Sequence, residues 1–162
     1  MDPTTRVRLG TTSLQVTRLG LGTAPLGDLY EAVADDVAEA TVTKAIDLGL
    51  GLVDTAPLYG SGSAERRVGR ALASVDRSSV IVATKVGRLL RNVDGVGGEV
   101  SPVFDFSYDG VMRSVEESLE RLGLDRIDIL HIHDPDDHHD EGPARGVIGA
   151  RGAAVGRTGS PG

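Results

Sequence analysis

The chain has 162 residues, 40% of them hydrophobic, and a formal net charge of −7 from 17 basic and 24 acidic side chains. This length suits one domain with a sizeable core, and the acidic balance argues against general binding to nucleic acid or to anionic lipid. The sequence has no cysteine, which excludes disulfides, thiolate catalysis and cysteine-ligated metal centres. Neither a secretory signal at 1–6 nor a stretch long enough to span a bilayer is present, so we expect a cytoplasmic protein.

The first expected elements are a β-hairpin, a glycine-rich strand and a helix. Alternating residues on both sides of the turn at 10–13 predict a hairpin over 6–16, followed by a strand over 19–23. Apolar side chains at helical spacing then predict a helix over 35–48. Asp35 or Asp36 would cap its start, and Gly49 would end it.

Strand and helix alternate along the rest of the regular part of the chain. Strands are predicted near 52–54, 80–85 and 127–133, with helices near 63–73 and 108–122. The last helix carries an apolar stripe and then Gly123, which suits a left-handed end. This alternation predicts the α/β class, with about four parallel βα units after the hairpin. Right-handed crossovers would bring the carboxyl ends of all strands to one edge.

Two segments depart from this pattern. Residues 87–106 are glycine-rich and polar, which predicts a flexible loop long enough to be functional. Residues 141–162 contain seven glycines and show no helical or strand period, which predicts a disordered tail. We therefore expect a folded domain at 1–140 and a low-complexity tail at 141–162.

Four polar side chains fall at the ends of successive predicted strands, namely Asp54, Tyr59, Lys85 and His133. Such a layout is typical of a site at the carboxyl mouth of a parallel α/β barrel. Reducing a carbonyl with hydride requires a proton donor to its oxygen. A phenol is a poor donor near neutral pH unless a buried ammonium lowers its pKa and a carboxylate orients that ammonium. A histidine can add a hydrogen bond that aligns the carbonyl.

Five motifs in this order resemble the aldo-keto reductase superfamily, and more narrowly its bacterial sugar and pyridoxal dehydrogenase branch. The resemblance covers roughly residues 6 to 140 and is carried by LGTAPLG at 21–27, DTAPLYG at 54–60, ERRVGRAL at 65–72, TKVG at 84–87 and DILHIHDPD at 128–136. It implies a (β/α)8 TIM barrel, an NADP or NAD cofactor near Gly22, Thr23 and Asp54, and a small carbonyl or sugar substrate. It also implies that Asp54, Tyr59, Lys85 and His133 are catalytic.

The resemblance covers the N-terminal half of such a barrel only, so we expect a truncated barrel. Its open edges and inner face would need a homodimer or the missing C-terminal half to cover them. The alternative is that the chain is a non-catalytic barrel fragment or an association module.

A metal-dependent hydrolase is a second alternative, because imidazole and carboxylate are natural metal ligands. All of its candidate ligands lie in one short stretch, whereas barrel metal sites draw on several strands, so we expect no metal in the carbonyl site. The candidate ligands are His131, His133, Asp134, Asp136, Asp137, His138, His139 and Asp140.

Overall fold

The computed structural model describes residues 2–92 and 100–135. The predicted elements follow one another in the expected order, with two additional strands between β5 and α3 and short 3-10 turns at Pro25–Gly27 and Arg77–Ser79. The elements are β1 Arg6–Arg8, β2 Gln15–Thr17, β3 Leu21–Gly22, α1 Asp35–Asp47, β4 Leu52–Asp54, α2 Ser63–Leu72, β5 Ile81–Val86, β6 Arg88–Asn92, β7 Val100–Phe104, α3 Tyr108–Leu122 and β8 Ile129–Ile132.

The central sheet has four parallel strands in the order β3-β4-β5-β8, which confirms the predicted α/β fold. Its register places Gly22 beside Asp54 and Lys85 beside His131. The carboxyl ends of all four strands therefore lie at one edge. The antiparallel pair β1 and β2 forms the predicted hairpin. Within the described residues, no helix is both long and apolar enough to cross a membrane.

The main core lies between this sheet and helices α1 and α2. Val42, Val53, Val68 and Val82 have no exposed surface and belong to one apolar cluster. A second cluster consists of the stripe of α3 against the end of β5, with Val86, Val111, Val115 and Leu119. The helical periodicity of the sequence therefore identified the faces that pack on the sheet.

Of the two predictions for the ends of helix α1, the one for its start is wrong and the one for its end is right. The predicted cap is wrong, because the N-cap is Ala34, and Asp35 and Asp36 lie inside the first turn with no side-chain cap among the described residues. Asp35 instead binds Arg67, with 2.7 Å between Oδ1 and Nε. The predicted end is right, because Gly49 follows the helix with φ +88° and its amide donates to the Ile46 carbonyl.

The predicted flexible loop at 87–106 is wrong for its described part. Strands β6 and β7 form an antiparallel pair from Arg88 opposite Phe104 to Asn92 opposite Val100. The loop prediction rests on Gly95, Gly97 and Gly98, which all lie between the two strands and outside the described residues. The strand residues on either side carry Pro102, which is unusual within a strand. Residues 93–99 lie outside the described residues, as do the tail at 141–162 and its boundary with the domain.

Helices α2 and α3 approach each other closely at Gly69. A Cβ atom at this position would lie 2.2 Å from the carbonyl oxygen of Leu122. We expect Gly69→Ala to lower the free energy of unfolding by about 1–3 kcal/mol, since the two helices must move apart. Urea unfolding measures this, with Gly22→Ala as the control because a Cβ there meets nothing within 4 Å. Equal stability of Gly69→Ala and the unmodified chain would contradict the contact.

Candidate active site

The structure brings the four candidate side chains together at the carboxyl edge of the sheet. Asp54 is the last residue of β4, Lys85 lies one residue before the end of β5, and His133 directly follows β8. Tyr59 comes from the loop between β4 and α2. The parallel register places neighbouring strands about 4.8 Å apart, so residues from three strands and one loop meet here.

Lys85 is the centre of this group. Its ammonium donates to Asp54 Oδ2 at 2.8 Å and to the Thr55 carbonyl at 3.0 Å, and the side chain is only 16% exposed. An ammonium has three N–H donors, so these two bonds leave one N–H for another acceptor. The carboxylate also fixes the position of the ammonium. A positive charge is therefore fixed at the mouth with one free donor.

Tyr59 lies between Lys85 and His133. Lys85 Nζ is 4.9 Å from the centroid of the phenol ring, and the ring centroids of Tyr59 and His133 are 6.3 Å apart at an interplanar angle of 81°. The loop that carries Tyr59 packs on Gly27, where a Cβ would lie 2.5 Å from the Tyr59 carbonyl carbon. Only glycine fits there, so the turn at Pro25–Gly27 fixes the position of the phenol.

His133 is a buried imidazole among charged neighbours. Its burial, together with Arg88 and Lys85, lowers its pKa to about 4, although Asp134 and Asp54 act in the opposite direction. The imidazole is therefore neutral at physiological pH and carries one N–H donor. Its Nδ1 is buried and has no hydrogen-bond partner in the described part of the chain.

The three candidate cofactor residues have different environments. Gly22 is exposed at the end of β3, and a Cβ there would meet nothing within 4 Å. Asp54, which lies opposite Gly22 on the neighbouring strand β4, has 37% of its side chain exposed. Thr23 is fully buried, and its hydroxyl donates to the Asp54 carbonyl at 3.0 Å. Gly22 and Asp54 therefore border open space, whereas the Thr23 side chain supports Asp54 from behind.

Comparison with known proteins agrees with this arrangement. The model of the Aldo/keto reductase family matches residues 18–150. The chain belongs to the aldo/keto reductase family. It is 45% identical over 128 residues to L-galactose dehydrogenase of Arabidopsis thaliana, covering 78% of this chain and 37% of that protein. It is 43% identical over 145 residues to pyridoxal 4-dehydrogenase of Microbacterium luteolum, covering 78% of this chain and 42% of that protein.

Solved structures of the aldo/keto reductase family share the fold. The holo form of aldo-keto reductase AKR11C1 from Bacillus halodurans has a TM-score of 0.66 and 34% identity, covering 82% of this chain and 42% of that one. The four parallel strands thus correspond to part of the TIM barrel of these neighbours, in line with the predicted fold class. The chain spans 37% to 42% of the length of the curated relatives named here.

The metal hypothesis can be compared with the structure only for residues 2–92 and 100–135. Across residues 2–92 and 100–135, no group of three or more histidine, aspartate or glutamate side chains could hold a metal ion. His131 lies on β8 beside Lys85, and Asp134 lies near His133. The other candidate ligands, Asp136, Asp137, His138, His139 and Asp140, lie outside the described residues.

Sequence reasoning missed two residues that support the aldo/keto reductase site. Glu65 is fully buried and accepts a hydrogen bond from Thr84, the neighbour of Lys85, at 2.7 Å. Arg88 binds Asp134, the neighbour of His133, at 2.6 Å. Both residues belong to or adjoin motifs that carried the family resemblance. A charged residue next to a buried strand usually has a specific partner, and this feature of the sequence could have revealed Glu65 and Arg88.

Proposed function

We propose that this chain carries the catalytic half of an NADP- or NAD-dependent oxidoreductase that interconverts small carbonyl compounds and alcohols. The observation that carries this proposal is the convergence of Asp54, Tyr59, Lys85 and His133 at one edge of the sheet. Carbonyl reduction requires both a proton source and a hydrogen bond to the carbonyl oxygen, and this group offers both.

Tyr59 is the proton donor in reduction and the base in oxidation. As the phenol gives up its proton, negative charge develops on its oxygen, and the fixed ammonium of Lys85 stabilises that charge. Asp54 directs the ammonium of Lys85 through the 2.8 Å contact. His133, neutral at physiological pH, donates a hydrogen bond to the substrate oxygen.

The cofactor would lie beside Gly22 and Asp54. The open space at Gly22 and the partly exposed carboxylate of Asp54 fit a flat ring bound at the edge of the sheet. The bound nicotinamide dinucleotide supplies or accepts the hydride. The similar structure in its holo form and the dehydrogenase names of the relatives support this cofactor class.

We propose aldehydes, sugars and pyridoxal-like compounds as the substrate class. The names of similar proteins support this choice, among them D-threo-aldose 1-dehydrogenase of a Pseudomonas species, which is 41% identical over 138 residues. The half-buried lysine and the buried histidine place two N–H donors at the mouth, which suits an oxygen-rich carbonyl compound.

The direct test is binding and turnover in the Tyr59→Phe variant. We expect NADPH fluorescence to change saturably in both the unmodified chain and the variant. Turnover of a small aldehyde should fall by about 100-fold or more in the variant only, because phenylalanine cannot donate a proton. Tyr30→Phe is the matched control, since Tyr30 is 81% exposed.

Two outcomes would contradict the proposal. Near-normal turnover in Tyr59→Phe would remove the phenol from the chemistry. A lack of both dinucleotide binding and turnover in the unmodified chain would favour the alternative of a non-catalytic fragment or association module.

A further inference from the structure

A cluster next to His133 is not used by the proposed chemistry. Arg88 begins β6, three residues after Lys85, and its Nη2 binds Asp134 Oδ2 at 2.6 Å. The guanidinium carbon also lies 4.6 Å from the centroid of the Phe104 ring, on the paired strand β7. One side chain thus joins the β6–β7 hairpin to the end of β8.

The same aspartate connects this cluster to the imidazole. Asp134 Oδ2 lies 4.0 Å from His133 Nε2, and the Asp134 backbone has φ +42°, a left-handed conformation rarely adopted by non-glycine residues. Such a conformation persists only when surrounding contacts hold it. The 2.6 Å ion pair with Arg88 is a contact of the Asp134 side chain that helps to hold it.

The charges around His133 do not cancel. The groups that act on it are Arg88, Asp134, Lys85 and Asp54, with the Tyr59 ring against its face. The Arg88 side chain is 16% exposed, whereas that of Asp134 is 66% exposed. Water therefore screens the carboxylate more strongly than the guanidinium, and the pair as a whole disfavours a positive imidazole.

We propose that Arg88 is a positioning residue, which through Asp134 and Phe104 fixes the end of β8 and holds the His133 imidazole toward the substrate oxygen. The catalytic part of this statement rests on the proposed function. A neutral imidazole offers a hydrogen bond without acting as the acid, which leaves proton donation to Tyr59. A charged imidazole would compete for that task and repel the ammonium of Lys85.

Titration of the histidine ring signals by NMR tests this inference without cofactor or substrate. His133→Gln identifies the His133 signal by its loss. In the unmodified chain we expect a midpoint near the pKa of about 4 that the surroundings of His133 impose. Arg88→Met should raise that midpoint by about one pH unit or more, because it removes a cation and frees Asp134.

Further variants separate charge from general damage. Arg88→Lys keeps the charge and should stay close to the unmodified midpoint, while Asp134→Asn should leave it unchanged or lower it. Arg91→Met is the matched control, since Arg91 lies on the same strand but pairs with Glu117 at 2.9 Å. If Arg88→Met does not fold, Arg88→Gln keeps a polar contact to Asp134 and tests the same charge.

An unchanged His133 midpoint in the Arg88 variants would overturn the inference, as would a midpoint near 6.5 in the unmodified chain. Because this titration involves no turnover, its failure is distinguishable from failure of the proposed oxidoreductase activity. In an active preparation, Arg88→Met should also shift the acid limb of the pH profile of kcat to higher pH. A purely structural role would not cause this shift.

Discussion

Replacing Lys85 by methionine is expected to lower the turnover of a carbonyl substrate by about 100- to 10,000-fold at neutral pH. Methionine keeps much of the length of the side chain but removes the charge that lies 4.9 Å from the Tyr59 ring. Negative charge developing on the phenol oxygen would then lose the stabilisation by this cation. Asp54 would also lose its 2.8 Å partner and become a net repulsive charge beside the phenol.

The measurement is kcat at saturating cofactor, with folding of each variant checked by circular dichroism. Lys44→Met is the matched control, because Lys44 is the other lysine of the sequence and lies exposed on α1. Its turnover should equal that of the unmodified chain. A Lys85→Met variant that retains near-normal kcat would exclude the lysine from the mechanism.

Replacing Glu65 by leucine is expected to lower the free energy of unfolding by about 3–5 kcal/mol. Glu65 has no exposed surface, and its two oxygens bind Arg121 Nε at 2.5 Å and Thr84 Oγ1 at 2.7 Å. Leucine would leave the guanidinium of Arg121, whose side chain is 13% exposed, without this partner. A buried cation that loses its partner keeps the cost of its lost hydration.

Urea unfolding of Glu65→Leu measures this loss against Glu116→Leu, an exposed glutamate of α3. The double variant Glu65→Leu with Arg121→Met should be more stable than the sum of the single changes predicts, since it removes both charges. Additive losses, or a loss below about 1 kcal/mol for Glu65→Leu, would show that the pair does not hold α2 and α3 against the sheet.

The sheet and its helices could be predicted from the sequence because their residues repeat with clear periods. The buried stripe from Val111 to Leu122 recurs at helical spacing, and Gly123 has the φ of +63° expected of a left-handed helix end. The N-cap of α1 was predicted wrongly as Asp35 or Asp36, because only their position before the apolar helical pattern was considered. Asp35 binds Arg67 instead, and Arg67 is distant in sequence, so no local pattern could reveal that choice.

The meeting of the site residues could be predicted from the strand topology, whereas the charge state of His133 could not. Residues at the ends of parallel strands must meet, so Asp54, Lys85 and His133 could be placed together before any coordinates. The neutrality of His133 depends on its burial and on Arg88, which begins β6 in the antiparallel pair β6–β7. Those contacts depend on how a segment taken for a loop folds back, which periodicity does not encode.

The most direct test of the central claim is a crystal structure of the chain with oxidised nicotinamide dinucleotide and a small carbonyl inhibitor. The account predicts that the carbonyl oxygen lies within about 2.6–3.2 Å of both the Tyr59 hydroxyl and a ring nitrogen of His133. The Lys85 ammonium should donate its third hydrogen to the phenol oxygen. A carbonyl oxygen bound away from Tyr59, with the phenol and the ammonium separated, would contradict it.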